Sequence, residues 1–257
     1  MVSRQAVSYV QERIEARLRI GPVHMTLIDP DKQGPEEAAR MARQADLGGT
    51  HFLLVGGTTG VDNHKLDTTI EAARKASDTP LIIFPTTHTV LSSQADAVFF
   101  MSLLNSNDVG FVVREAVKAS LKICEMELEV LPVGYLVFAP GMTVGRVGSV
   151  DLIERDDLQT AREYAKSIEL FGMKYCYLEG GSGVKDPIPE EMISAVRSII
   201  NIPLIIGGGI RDPETASSLV RAGADIIVTG NMVESNGNLS TAVKEMIKAM
   251  EQGWKER

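Results

Sequence analysis

The stretch Asn201-Ile202-Pro203-Leu204-Ile205-Ile206-Gly207-Gly208-Gly209-Ile210-Arg211-Asp212-Pro213-Glu214 is followed by Ala224-Asp225-Ile226-Ile227-Val228-Thr229-Gly230-Asn231. Each half is a short, uninterrupted apolar run that stops in glycine. A run of that kind suits a strand covered on both faces, as in a parallel sheet, whose C-terminal end opens into a loop. Glycines at such an exit let backbone N–H groups approach an anion, and a helix beginning near Asp212 and Pro213 adds its positive end. One cluster by itself is equally a tight turn. Two on consecutive strands, separated by one helix length, match the phosphate site that eight-stranded barrels place after their last two strands.

The same alternation continues upstream. Strand-like runs cover residues 22–28, 51–55, 81–84, 97–101, 132–138, 174–178, 203–206 and 225–229, and helix-like periodicity covers 35–47, 67–76, 109–121, 157–171, 189–200, 213–222 and 239–251. This order predicts a single α/β domain over 1–257, a closed parallel (β/α)8 TIM barrel. One connection breaks the rhythm. After the third strand, Pro85-Thr86-Thr87-His88-Thr89 leaves too little helical sequence, so a loop or short turn is expected there.

Composition narrows the function. The 257 residues suffice for one barrel, 44% of them are hydrophobic but only 5% aromatic, and the net charge is −8. Nothing basic is concentrated enough to neutralise a nucleic-acid backbone, so a nucleic-acid partner is excluded. An anionic substrate must then be held by amides, helix ends and a metal. No run of about 18 apolar residues is present, and residues 1–19 form a charged amphipathic segment without an apolar signal core, so a cytoplasmic location is expected. Cys124 and Cys176 lie in apolar stretches without metal-ligand spacing and are expected to be reduced core thiols.

Chemistry is sought at the strand exits. The first strand ends in Asp29-Pro30-Asp31-Lys32, where Asp29 suits a Mg²⁺ ligand or else a helix cap. Asp31 and Lys32 read as solvated turn residues, with Lys32 within range of a substrate phosphate. The second strand ends in Gly56-Gly57-Thr58, whose hydroxyl suits Mg²⁺ or a diphosphate, a weak signal by itself. At the fourth exit most side chains are expected to pack in the core, while those past Met101 lie beyond the strand end and suit either that core or an apolar groove, and the loop 139–148 reads as a mobile lid or an interface. The sixth strand ends in Tyr177-Leu178-Glu179-Gly180-Gly181-Ser182-Gly183, which puts a carboxylate beside a third glycine turn. Glu179 is the best candidate for a general base, against the alternative of a surface carboxylate paired to an arginine. His24, His51, His64 and His88 have no zinc spacing, and the first two fall within expected strands, where they are either packed or support a site residue without touching a ligand.

These motifs resemble the geranylgeranylglyceryl phosphate synthase family of archaeal ether-lipid prenyltransferases nearly end to end. They run through Asp29 to Lys32, Gly56 to Thr58, Leu104-Asn105-Ser106, Tyr177 to Gly183, Gly207 to Ile210 and Thr229-Gly230-Asn231. The resemblance implies Mg²⁺-dependent transfer of a geranylgeranyl group from geranylgeranyl diphosphate to the 3-hydroxyl of sn-glycerol 1-phosphate. It implies Asp29 and Thr58 for the metal, and Glu179 and Tyr177 for catalysis. For the glycerol phosphate it implies Tyr177, Leu178, Glu179, Gly180, Gly181, Ser182 and Gly183, with Gly208, Gly209, Gly230 and Asn231. It also implies a helix replaced after the third strand, and a homo-oligomer. Leu27 stands where bacterial relatives with longer prenyl donors carry lysine, which favours the archaeal activity. The DDxxD motif of helical prenyltransferases is absent, since Asp156-Asp157 runs on as Leu158-Gln159-Thr160. Two other readings share the glycine cradle. A sugar-phosphate isomerase or lyase is disfavoured because the fifth exit, Phe138-Ala139-Pro140, lacks a carboxylate. A non-catalytic scaffold has no need of Asp29, Thr58 and Glu179 together.

Overall fold

In a computed structural model, which describes residues 9–230 and 238–257, eight parallel strands close into a barrel with β1 paired to β8. The strands are β1 (Val23–Ile28), β2 (Phe52–Val55), β3 (Leu81–Ile83), β4 (Ala97–Leu103), β5 (Glu129–Val137), β6 (Tyr175–Glu179), β7 (Leu204–Gly207) and β8 (Ile226–Thr229). Helices α1 (Tyr9–Leu18), α2 (Pro35–Gly48), α3 (Asn63–Ala76), α4 (Glu115–Glu125), α5 (Met142–Val147), α6 (Leu158–Leu170), α7 (Glu190–Arg197), α8 (Pro213–Ala222) and α9 (Leu239–Lys255) accompany them. Between β3 and β4 no helix forms among the described residues, as the sequence rhythm predicts.

Side-chain alternation divides the core. Met25, Phe52, Phe99, Leu131, Tyr135 and Ile205 fill the barrel, while Ile28, Leu53, Leu178 and Ile206 face the surrounding helices. Helix α1 plugs the N-terminal mouth with Val10 and Ile14, both fully buried. Its first turn is held by Glu129 of β5, whose carboxylate accepts from the amides of Val10 and Gln11 at 2.7 Å each. A carboxylate at a helix N-terminus satisfies orphan donors and meets the positive end of the dipole. Helix α8 starts where Asp212 accepts from the Thr215 amide at 2.8 Å with Pro213 in the first turn, which fixes the loop leaving β7.

Several boundaries differ from the sequence pattern. β5 begins at Glu129, so Pro132 lies inside it. In a parallel ladder a residue's N–H and C=O point to the same neighbour, and the Pro132 carbonyl accepts from Lys174, just ahead of β6. The missing donor therefore faces no strand and costs no ladder bond. β4 runs on to Leu103, past the expected end at Met101, because β5 continues to pair with it through Tyr135. The expected helix after β4 opens as a π-helical turn (Gly110–Arg114) before becoming regular. Cys176 is buried, and burial raises its thiol pKa to about 12, whereas Cys124 is exposed, which corrects the reading of both as core thiols. Cys124 falls on the solvent side of α4, a phase that a short apolar run does not reveal. His24 is buried between Thr50 and Thr229 at 2.9 Å each, and burial lowers its pKa to about 3.

Candidate active site

The C-terminal mouth of the barrel carries two connected depressions that meet at Leu27, Glu179, Ser182 and Gly230. The smaller is walled by the exits of β6, β7 and β8. Gly181, Gly183, Gly208 and Gly209 all have positive φ, at 101°, 83°, 88° and 76°. These are left-handed conformations that glycine adopts without a Cβ clash. A Cβ on Gly208 would stand 2.7 Å from Glu179 Oε1 and 2.9 Å from the Gly181 backbone. The amides of Ser182, Gly183, Gly208 and Gly209 donate to no acceptor among the described residues. Free amides on adjoining glycine loops suit an anion-binding concavity.

Glu179 ends β6 inside the mouth, with 7% of its surface exposed. Its Oε1 accepts from the Gly181 amide at 2.7 Å, and the phenols of Tyr177 and Tyr135 hydrogen-bond to the same carboxylate. Burial raises its pKa, and those three hydrogen bonds to the ionised form oppose the rise. It is therefore a buried carboxylate without an arginine partner among the described residues. That excludes the surface ion pair, and a carboxylate with a raised pKa is a stronger proton acceptor than an ordinary one. Tyr177 stacks on Phe84 with centroids 5.7 Å apart and meets Tyr135 edge-on at 5.0 Å.

The larger depression continues from Glu179 across the barrel mouth and out between the 84–91 segment and α4. Phe100, Met101, Leu103, Phe111, Ala116 and Val144 line it. The absent helix after β3 is what leaves this wall open. Helix α5 forms one side, so the 139–148 segment is a groove wall. Ser106 Oγ donates to the Gly148 carbonyl at 2.5 Å, and Asn105 bridges the Val137 and Asp151 carbonyls at 2.9 and 2.8 Å, which ties that wall to β4. On the opposite flank His88 donates through its backbone N–H to Glu115 at 2.8 Å, and its ring lies 2.7 Å from the same oxygen.

At the polar end of this groove Asp29 and Thr58 lie on adjoining loops. Asp29 Oδ1 accepts from the Asp31 amide at 3.1 Å, and Oδ2 pairs with Lys32 at 2.9 Å. Among the described residues no group of three or more His, Cys, Asp or Glu side chains could hold a metal. A carboxylate and a hydroxyl are hard oxygen donors that fit Mg²⁺ when substrate oxygens and waters complete its shell.

The structure thus gathers Asp29, Thr58, Tyr177, Glu179, Ser182, Gly183, Gly208, Gly209 and Gly230 at one mouth. Three of the residues expected to bind substrate are placed otherwise. The Leu178 side chain points outward into the helix-facing core, because β6 alternates and Glu179 takes the inward phase. The Gly180 amide is spent on the Gly207 carbonyl at 3.0 Å, and the Gly181 amide on Glu179. Asn231 lies outside the described residues. Tyr135 and Phe84 escaped the sequence reading, although period-two counting from the inward Leu131 reaches Tyr135. No helix among the described residues is long and apolar enough to cross a membrane.

Fold and site together define a (β/α)8 barrel whose C-terminal mouth sets a buried carboxylate between a glycine-amide cradle and an apolar groove. The chain belongs to the PcrB family, whose model matches residues 12–251. It is 45% identical over 238 residues to geranylgeranylglyceryl phosphate synthase of Thermoplasma volcanium, covering 93% of this chain and 94% of that protein. Among solved structures, (S)-3-O-geranylgeranylglyceryl phosphate synthase from Thermoplasma acidophilum in complex with substrate sn-glycerol-1-phosphate superposes with a TM-score of 0.91 at 44% identity, covering 95% of this chain and 98% of that one. Thiamine phosphate pyrophosphorylase from Pyrococcus furiosus, at 17% identity and a TM-score of 0.60, shares the fold alone.

Proposed function

We propose that this chain is a geranylgeranylglyceryl phosphate synthase, transferring the geranylgeranyl group of geranylgeranyl diphosphate to the 3-hydroxyl of sn-glycerol 1-phosphate. The observation that carries the reading is Glu179, buried where the amide cradle and the apolar groove meet. The glycerol phosphate anchors on the Ser182, Gly183, Gly208, Gly209 and Gly230 side, beside Tyr177 and Glu179, with Asn231 completing the set that the family resemblance implies. Its 3-hydroxyl then faces Glu179, and Tyr177 and Tyr135 orient that carboxylate. The hydroxyl oxygen forms the new C–O bond to the first prenyl carbon, the bond from that carbon to diphosphate breaks, and Glu179 takes the hydroxyl proton. Asp29 and Thr58 would hold Mg²⁺, which when bound neutralises the departing diphosphate. The prenyl tail occupies the groove past Met101 and Phe111, where each methylene withdrawn from water contributes about 0.8 kcal/mol.

The reaction is placed in the cytoplasm, with a product that partitions to membrane. The same reading includes a homo-oligomer. Val113, Val117 and Leu121 form an exposed aliphatic stripe at four-residue spacing that association would cover, and the solution mass checks it. The activity is tested with labelled sn-glycerol 1-phosphate and geranylgeranyl diphosphate, with and without Mg²⁺, beside the sn-3 enantiomer and Glu179→Gln. Metal-dependent extractable product from the sn-1 form is expected. No product with prenyl diphosphates of any length would sink the assignment.

A further inference from the structure

The loop between β6 and α7 contributes the Ser182 and Gly183 amides to the cradle, and residues 182, 183, 185 and 186 are exposed. A glycine-rich loop in that position has little packing of its own to hold it still. Its order comes from outside. Arg211, on the loop leaving β7, donates from Nη1 to the Lys185 carbonyl at 2.9 Å and from Nη2 to the Gly183 and Val184 carbonyls at 3.2 and 2.6 Å. Arg155, ahead of α6, donates to the next two carbonyls, Asp186 at 3.3 Å and Pro187. Five consecutive carbonyls, 183 to 187, are therefore taken by two guanidinium groups.

We infer that Arg211, assisted by Arg155, is a positioning residue for the phosphate site, fixing the 183–187 backbone so that the Ser182 and Gly183 amides stay aimed into the cradle. Arg211 also borders the cradle itself, so its charge adds to the field that the amides present. A planar guanidinium with five donors can hold several carbonyls at once, which a lysine ammonium on a flexible stem does less well. Between residues 182 and 187 only Val184 is buried, its Cγ1 against Gly209 and Gly180, and Ile188 returns the chain to the core. The inference rests on the phosphate-site reading above and names what stabilises one wall of it.

The test compares wild type with Arg211→Met, Arg211→Lys and Arg155→Met in the full chain. With the loop released, Arg211→Met should raise KM for sn-glycerol 1-phosphate by about tenfold or more, while kcat and KM for geranylgeranyl diphosphate change little, because only hydrogen bonds shaping the phosphate site are lost. Arg211→Lys should recover part of the loss, and Arg155→Met should show a smaller rise of the same kind. In a separate readout, inorganic phosphate should raise the melting temperature of wild type more than that of Arg211→Met. An unchanged KM for sn-glycerol 1-phosphate in a folded Arg211→Met, or equal losses for both substrates with an unchanged phosphate shift, would overturn the positioning role. If wild type fails to turn over sn-glycerol 1-phosphate, the proposed activity falls, and the difference in phosphate shift still decides the role of Arg211.

Discussion

The two sides of the barrel mouth recognise ligands by opposite means. On the β6–β8 side nearly everything is backbone: glycines hold left-handed conformations at the strand exits, and a Cβ on Gly208 would collide with Glu179 and the Gly181 backbone. On the β3–β4 side nearly everything is side chain, with Phe100, Met101, Leu103 and Phe111 lining a groove left open where no helix follows β3. Backbone amides cannot be mutated away and demand exact conformation, so the phosphate side tolerates little. Apolar contacts are non-directional and scale with area, so the groove side should accept graded change. Glu179 belongs to both, which is where a bond between the two ligands would form.

Four experiments break or sharpen that contrast. Removing the shared group should matter most: Glu179→Gln is expected to lower kcat by about 10³-fold, as for loss of a positioned base, with thermal stability close to wild type. Near-wild-type turnover would detach the chemistry from β6. Next, Gly208→Ala adds one methyl where φ is 88° and Glu179 Oε1 is 2.7 Å away. We expect a loss of about 10²-fold in kcat/KM for the glycerol phosphate, since small misplacements at a reacting centre are costly. An innocuous Gly208→Ala would mean that the cradle is not conformationally strict.

On the groove side, Ala116→Phe fills space along the wall. It should raise KM for the geranylgeranyl donor by about tenfold while sparing a shorter prenyl diphosphate, as for moderate overpacking. Equal losses with both donors would place the tail elsewhere. The smallest effect concerns pH. Burial raises the Glu179 pKa above its usual 4.5, so kcat/KM should fall on acidification at a pH higher than for an ordinary carboxylate. Tyr135→Phe deletes a hydrogen bond to the ionised form and should move that acid limb further up. A limb that stays put would remove Tyr135 from the carboxylate's environment. The same raised pKa means that the Glu179 contribution to stability is present at low pH and is lost as pH rises through the folded value.

Much of the polar side was legible beforehand because its chemistry is local. Gly207 to Gly209 and Gly180 to Gly183 advertise their loops by residue type, and Glu179 stands one step from a glycine turn. The groove side was legible only as an interruption, the short connection after β3. Asn105, read as part of a motif, turned out to be a fastener between β4 and the α5 wall. Cys124 was misplaced because an apolar stretch does not state which side of a helix each residue takes.

The sequence alone determined the barrel, the order of its strands, the glycine exits and the residue type of the proposed base, because uninterrupted apolar runs, helix caps and glycine-rich exits are properties of a few consecutive residues. The tertiary structure alone decided that Tyr135 would meet Glu179, that Leu178 would turn away from the site, and that Arg155 and Arg211 would hold five carbonyls of another loop. Those contacts join elements tens of residues apart, and only barrel closure sets the register and inward phase that bring them within hydrogen-bond reach.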